Sequence, residues 1–169
     1  PPPPPPPPPQ FFFNAHDAIR DPLWSRGLGD VYKRQIAGRH ADIVSINFNN
    51  SAGKIGPEGV GSGTSAGTLQ KLEWIEAGAG DRFSEIEIEI AAYFTVVTDH
   101  SDVVANEFAK LFNLSSSEIL DHPHCLIGQT SEIIERIQQR REEFGINYIT
   151  FGGAAIDDVA PIVEALSGL

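Results

Sequence analysis

The chain has 169 residues and a mass of 18.3 kDa, enough for one domain of ordinary size, and 41% of its residues are hydrophobic. Its 23 acidic and 12 basic residues give a formal net charge of −11, which excludes an electrostatic footprint for nucleic acid or an anionic membrane. One cysteine, Cys125, excludes an internal disulfide framework, and no apolar run reaches the length of a membrane span. We therefore expect a soluble, cytoplasmic protein.

The first 35 residues differ from the rest. Pro1–Pro9 and Phe11–Phe13 are homopolymer runs, and polyproline forms an extended helix that builds no core. These runs suggest a proline-rich tail, but Asp30–Gln35 resembles a translated transposase mosaic end of the kind used to tag sequencing libraries. We therefore interpret residues 1–35 as a disordered sequencing or assembly artefact and place the domain at residues 36–169.

In the first half of the domain, the β-branched run Ala41–Asn47 predicts a buried strand. Residues 49–67 contain many glycines and no apolar periodicity, which predicts a long loop. One helical face then follows, formed by Leu69, Leu72 and Ile75. Gly78 and Gly80 end that helix, and Ile86–Val97 predicts the second strand.

In the second half, Asp99 or Ser101 is expected to cap a helix, and Ser115–Glu118 has the spacing of a capping box that opens a short one. The first of these helices presents an apolar face made of Val104, Phe108, Leu111 and Phe112. We interpret His122–His124 as a helix-breaking turn around its central proline.

Three further elements complete the chain. Thr130 or Ser131 is expected to cap a helix that ends at the left-handed position of Gly145. Tyr148–Phe151 predicts the third strand, and residues 157–166 predict a last helix capped by its first residue, an aspartate. Strands that alternate with helices predict an α/β fold with a parallel sheet. Three strands are too few for a closed barrel, so either a small open domain or part of a larger one is expected.

Several segments carry a combined signature: Ala41–Val44, Lys71–Ile75, Ala79–Phe83, His122–Gln129, Glu132–Ile134 and Arg140–Tyr148. Together they resemble the C-terminal signature of luciferase-like oxidoreductases, and most of all the F420-dependent branch of that superfamily. Gln129 departs from the pattern, because a small hydroxyl residue is expected there. The resemblance covers residues 36–169.

This resemblance implies a (β/α)8 barrel of which residues 36–169 hold strands six to eight. Because such a barrel needs about 250 residues, the upstream half, including a glycine-rich region at strand five, is expected to be missing. The chain alone should therefore be inactive and aggregation-prone, since its strand edges and barrel interior are uncovered. At full length, the family resemblance implies a possible homodimer.

The function implied by the resemblance is hydride transfer between coenzyme F420 and a small organic substrate. Two alternatives stay open: an FMN-dependent monooxygenase of the same superfamily, and a non-catalytic flavin-binding homologue. The resemblance assigns no catalytic residue.

Barrel geometry provides candidate cofactor-binding residues, because active sites gather at the carboxyl ends of the strands. The residues at those positions are Ser45, Asn47, Thr95, Thr150 and Gly152. Ser45 and Asn47 share one face by two-residue alternation, so both can point to the barrel mouth. The alternative for Ser45 is that it fills a layer inside the barrel.

Other motifs favour structural interpretations. Gly61–Ala66 matches a dinucleotide fingerprint in letters, but it lies too far from the preceding strand to cradle a pyrophosphate. His122, His124 and Cys125, even with His100, lack the closed ligand set of a zinc site, so no metal is expected. Apolar neighbours favour burial of Cys125 over a nucleophilic role. A strand face of three carboxylates stands at the amino end of the second strand, where solvation is expected: Glu85, Glu87 and Glu89.

Overall fold

The computed structural model describes residues 26–50 and 53–168, with the backbone alone at residues 26–29. Its α-helices are α1 (Arg26–His40), α2 (Pro57–Gly61), α3 (Ser65–Ala79), α4 (Ser101–Phe112), α5 (Ser116–Asp121), α6 (Thr130–Phe144) and α7 (Ile156–Leu166), and a 3₁₀ helix, Gly80–Glu85, follows α3. Its strands are β1 (Ile43–Ser45), β2 (Glu87–Ala92), β3 (Phe94–Val97), β4 (Cys125–Gly128) and β5 (Ile146–Phe151). The proline and phenylalanine runs lie outside the described residues. Among the described helices, none has the length and hydropathy needed to cross a bilayer.

The strands form two parallel sheets, which confirms the predicted α/β class. In the larger sheet β2 lies between β1 and β5, and in the smaller sheet β3 pairs with β4. The order β1–β2–β5 follows the chain, so successive strands join the sheet on the same side. The described strands do not close into a barrel.

Helices cover one face of the larger sheet. Ile88 and Ile90 of β2 are buried against Leu72 and Ile75 of α3, and Phe144 of α6 belongs to the same cluster. Full burial of each such side chain stabilises the fold by about 1.5–3 kcal/mol. The opposite face carries side chains that alternate with these, and it is largely exposed. The sheet is therefore one-sided, with its apolar face inward.

The prediction of a single strand over residues 86–97 is wrong. The chain changes direction at Tyr93, whose backbone N–H donates to the carbonyl of Ala91 at 3.0 Å. β2 alternates buried isoleucines with glutamates because one of its faces is open, whereas Phe94 and Val97 of β3 pack into cores on both sides. The change from alternating to continuous hydropathy therefore marks a move from one sheet to the other.

Strand β4 was not predicted. This strand follows the predicted turn at His122–His124 directly and is buried throughout. Cys125 and Ile127 pack toward α4 and α5, while Leu126 packs toward α6. A four-residue strand buried on both faces has no alternation, so its hydropathy resembles that of any short core segment.

The long loop predicted over residues 49–67 is only partly correct. α2 lies within it, and α3 begins at Ser65 with the Thr64 side chain accepting the N–H of Gly67. Gly80 ends α3 as predicted, with a φ of +57°, whereas Gly78, which was also predicted to end it, lies inside the helix. Helix α2 was not predicted because the many glycines of this segment indicate a loop. The proline at its first position, however, is a signal for the start of a helix.

Of the other predicted helix caps, some are confirmed and some are wrong. The Ser115–Glu118 capping box is present, and Gly145 ends α6 with a φ of +67°. The predicted caps at Asp99 or Ser101, Thr130 or Ser131, and Asp157 are wrong. The capping residues are His100, Gln129 and Ala155. Without a side-chain cap bond at His100 or Ala155, composition alone does not fix the first residue of these helices.

α1 spans the predicted domain boundary between residues 35 and 36. It packs closely on α3, and two glycines permit the approach. A Cβ on Gly38 would overlap the carbonyl oxygen of Ile75, and one on Gly78 would overlap the backbone of Gln35. The helical segment therefore continues through the position at which the sequence analysis divides the chain.

Candidate functional site

The exposed face of the larger sheet carries a row of polar side chains at its centre. Strand register places Ser45, Glu89 and Tyr148 side by side on β1, β2 and β5. Neighbouring strands lie about 4.8 Å apart, so these three side chains are immediate neighbours across the sheet. Glu89 is nearly buried between its neighbours, whereas Ser45 and Tyr148 are exposed. A hydroxyl, a carboxylate and a phenol therefore lie in one line.

A hydrogen-bonded chain lies at the carboxyl end of this face. The Tyr93 hydroxyl donates to Oδ1 of Asn47 at 3.2 Å, and Nδ2 of Asn47 donates to Oγ of Ser45 at 3.0 Å. Because Ser45 accepts in this chain, its own O–H is available to donate toward the open face. The Tyr93 ring is 37% exposed and contacts the Phe48 ring with centroids 5.1 Å apart.

The predicted cofactor residues separate into two places. Ser45 and Asn47 lie together at the carboxyl end of the larger sheet, and Thr150 is exposed on its open face in β5. Gly152 lies beside Tyr93, since a Cβ built on it would stand 3.4 Å from the Tyr93 Cα. Thr95 is elsewhere: it is buried in β3, and its hydroxyl donates to the carbonyl of Ala92 at 3.0 Å. The break at Tyr93 carries Thr95 out of the larger sheet, so its predicted place at the barrel mouth is wrong.

Two buried histidines lie behind the carboxyl end of the larger sheet. Nε2 of His122 contacts the carbonyl of Val60 at 2.9 Å, and Nδ1 of His124 contacts the carbonyl of Ala91 at 2.8 Å. A carbonyl accepts only, so each of these ring nitrogens carries the proton. Nδ1 of His122 then accepts the backbone N–H of His124 at 3.2 Å. Nε2 of His124 has no hydrogen-bond partner within the described residues.

Burial keeps both imidazoles neutral. Burial, assisted by the smaller effects of the Arg140 and Lys71 charges, lowers the pKa of His122 to about 4 and that of His124 to about 3. The backbone bonds to the carbonyls of Val60 and Ala91 act in the opposite direction, but they are the smaller effect. The two histidines therefore connect the edge of the sheet to α2 as uncharged polar groups.

Arg140 of α6 holds the backbone that carries these histidines. Its guanidinium is buried and donates to the carbonyls of Pro123, His122 and Cys125 at 2.7–3.0 Å. Burial lowers the pKa of Arg140 to about 10, which still leaves the group charged at neutral pH. Burial also raises the pKa of the Cys125 thiol to about 12. A protonated, buried thiol is inert, as the sequence analysis expects.

A lysine approaches the edge from the helix side. Nζ of Lys71 donates to the carbonyls of Asn47 and Ser62 at 3.0 and 2.9 Å, so it joins the end of β1 to the segment before α3. Burial, followed by the charge of Arg34, lowers its pKa to about 8, and Asp30 partly opposes this. The carboxyl end of β1 therefore lies in a locally positive environment within an acidic protein.

The rejected motifs remain without a ligand set. Within residues 26–50 and 53–168, His, Cys, Asp and Glu side chains form no group able to hold a metal ion. The glycine motif over residues 61–66 starts at the last residue of α2 and ends in the first turn of α3, with a helix rather than a strand before it.

Gly63 tests how closely the segment before α3 packs on the two buried histidines. A Cβ there would lie 2.8 Å from the Phe48 Cβ and 3.0–3.1 Å from the rings of His124 and His122. We expect Gly63→Ala to destabilise the chain by about 1–3 kcal/mol, because the overpacked neighbours must shift. Gly61→Ala is the matched control, since its Cβ meets nothing within 4 Å. Urea unfolding measures both variants, and equal effects would contradict the packing described.

Comparisons of the chain with protein-family models, curated proteins and solved structures return no match. The likeness to luciferase-like oxidoreductases thus depends on the sequence motifs alone. The structure adds Tyr93, Glu89 and Lys71 to the site. Glu85, Glu87 and Glu89 were predicted to form one solvated strand face, and this is wrong for two of them. Glu85 lies in the 3₁₀ helix before β2, and Glu89 is buried in register with Ser45. The strand break at Tyr93 could have been predicted, because the alternation of glutamate and isoleucine in the sequence ends before it.

Proposed function

We propose that the chain is the C-terminal part of a luciferase-like (β/α)8 barrel and that the open face binds a flavin or deazaflavin, with coenzyme F420 as the favoured cofactor. The observation that carries this proposal is the series of hydrogen bonds from Tyr93 to Asn47 and from Asn47 to Ser45. It lies at the carboxyl ends of adjacent parallel strands. Ligands of parallel α/β folds bind at that edge.

The sheet order supports the barrel. Strands β1, β2 and β5 are parallel and lie side by side in the order in which they occur along the chain, with the smaller β3–β4 sheet inserted between β2 and β5. This is the strand order of a singly wound barrel. In a doubly wound sheet the order reverses at a switch point. The open face would then be the barrel interior, and the face covered by helices would be the exterior.

The residues present suit a planar heteroaromatic ring. The exposed Tyr93 ring, beside a glycine at position 152, offers a flat surface for stacking. The free O–H of Ser45 and the exposed hydroxyl of Thr150 offer donors to the polar edge of such a ring. The cofactor would supply hydride chemistry, while the protein orients it and excludes water. Glu89, next to Ser45 in the row, would be the carboxylate available to accept a proton released when hydride is transferred.

Cofactor titration tests the proposal. We expect oxidised F420 to bind the chain saturably, more tightly than FMN, as measured by cofactor fluorescence. Ser45→Ala and Tyr93→Leu each remove a contact of about 1 kcal/mol and so should weaken binding about five-fold. Ser84→Ala is the control, because Ser84 is exposed outside the open face.

Three outcomes would count against the proposal. Binding of neither cofactor would contradict it, as would binding that Ser45→Ala and Tyr93→Leu leave unchanged. Preference for FMN would overturn the F420 assignment in favour of the monooxygenase alternative.

A further inference from the structure

A nearly buried carboxylate lies in the middle of the open face of the larger sheet. Glu89 is only 9% exposed, yet within the part of the chain that the structure describes its side chain has no hydrogen bond and no ion pair. The ion pair found there joins Arg82 to Asp42, away from the open face. A glutamate is almost never buried without a partner, because its carboxylate loses water that other donors must replace. The environment of Glu89 therefore indicates a ligand that supplies such donors.

A β-bulge determines which side chain stands beside Glu89 on β5. In the register of β2 with β5, Ile88 pairs with Ile146. The next pair is Glu89 with Tyr148, so Asn147 is an extra residue on β5, and its Oδ1 accepts the N–H of Ile88 at 2.9 Å. Ile146 is buried on the helix-covered face, whereas the bulge turns Tyr148 to the open one. Bulges often re-aim a side chain next to a binding site.

The groups around Glu89 suit an organic cation. Tyr148, its neighbour on β5, is 47% exposed, and the face of an aromatic ring attracts an ammonium group. Ser45, its neighbour on β1, accepts one hydrogen bond from Asn47 and keeps a second lone pair for another donor. Glu87 lies on the same face two residues earlier and adds a second, exposed carboxylate. This set attracts a cation and repels an anion.

A metal ion and the chain's own cations fit the position less well. Within residues 26–50 and 53–168, no group of His, Cys, Asp and Glu side chains is able to hold a metal ion. Calcium and magnesium need several oxygen ligands, whereas a carboxylate, a hydroxyl and a ring face satisfy an ammonium group. Lys71 and Arg34 both donate to the carbonyl of Asn47 instead.

We propose that Glu89, together with Tyr148 and Ser45, binds the ammonium group of a small organic amine on the open face. The binding site follows from the row of side chains alone. That the amine is a substrate rests on the proposed oxidoreductase function, because Ser45 joins this row to Asn47 and Tyr93, where the cofactor is proposed to bind.

Calorimetric titration of the full chain with benzylamine, without cofactor, tests this site. Benzylamine is a cation at neutral pH, as lysine is, and benzyl alcohol is its uncharged counterpart. We expect saturable one-to-one binding of the amine, about ten-fold tighter than that of the alcohol, because only the amine makes a charge-assisted hydrogen bond. Glu89→Gln, which keeps the shape of the side chain, should weaken amine binding about ten-fold. Tyr148→Leu should weaken it about three-fold by removing the ring face.

Glu76→Gln is the matched control. It removes one negative charge from an exposed position of α3, on the helix-covered side of the sheet. Amine binding should stay within about two-fold of that of the unchanged chain, because a distant exposed charge is screened by solvent. Equal weakening by Glu76→Gln and Glu89→Gln would overturn the proposal, since it would mean attraction to net charge alone.

Three other results would overturn it: no saturable binding of benzylamine, equal affinity for benzyl alcohol, and binding that neither Glu89→Gln nor Tyr148→Leu changes. Failure of the proposed function gives a different result. A chain that binds benzylamine through Glu89 but binds neither F420 nor FMN would keep the amine site and lose the oxidoreductase assignment. A chain that binds F420 but not benzylamine would keep that assignment and lose the amine site.

Discussion

Replacing Arg140 by methionine should lower the free energy of unfolding by about 3–5 kcal/mol, the largest effect expected from a single substitution in this chain. The buried guanidinium donates to three backbone carbonyls of the His122–Cys125 segment. Methionine fills a similar volume but leaves those carbonyls buried without a donor. This side chain therefore helps to position both histidines and β4, together with the bonds of the imidazoles to Val60 and Ala91.

Urea unfolding followed by circular dichroism measures the effect of Arg140→Met. Arg136→Met is the matched control: Arg136 is half-buried on the same helix and donates to one carbonyl, that of Ile127, at 2.9 Å. Its loss should cost about 1 kcal/mol. Arg140→Lys should fall between the two, because one ammonium cannot reach all three carbonyls. An Arg140→Met variant as stable as Arg136→Met would contradict the role assigned to the guanidinium.

Stability should also fall as the pH is lowered from 8 to 5. The folded-state pKa values of His122 and His124, about 4 and about 3, lie below the ordinary value of 6.5. The unfolded chain therefore binds protons first, and the stabilisation that is complete above pH 6.5 decreases as the pH falls toward the folded pKa values. Between pH 8 and pH 5, each histidine should cost about 2 kcal/mol.

Conservative amides separate this titration from packing. Gln at position 122 can still donate to the Val60 carbonyl, and Asn at position 124 can still donate to that of Ala91. His122→Gln and His124→Asn should each remove about half of the histidine contribution to the pH dependence. Chemical unfolding at several pH values measures this. An unchanged dependence in the double variant would show that other groups cause it.

Local sequence signals predicted the elements that depend on local chemistry. The Ser115–Glu118 box and the glycines after α3 and α6 act within one helical turn, so their spacing was sufficient. Pairing between strands that are distant in the sequence could not be predicted from such local signals. β4 acquires its identity from pairing with β3, which lies about thirty residues earlier in the chain.

The site was predictable where it depends on strand alternation. Ser45 and Asn47 share a face because side chains alternate along β1, and the structure joins them by a hydrogen bond. Thr95 was misplaced because alternation could not reveal that the chain leaves the larger sheet at Tyr93. The burial of Arg140 could not be predicted from the sequence, because the three carbonyls that it binds lie 15 to 18 residues earlier in the chain.

We propose that the open face of the β1–β2–β5 sheet holds the cofactor. Amide chemical shifts recorded during titration with oxidised F420 test it most directly. We expect the largest changes at Ser45, Asn47, Tyr93, Thr150 and Gly152, and little change at Thr95 or on the face of the sheet that the helices cover. Changes confined to the helix-covered side, or no saturable changes at all, would contradict it.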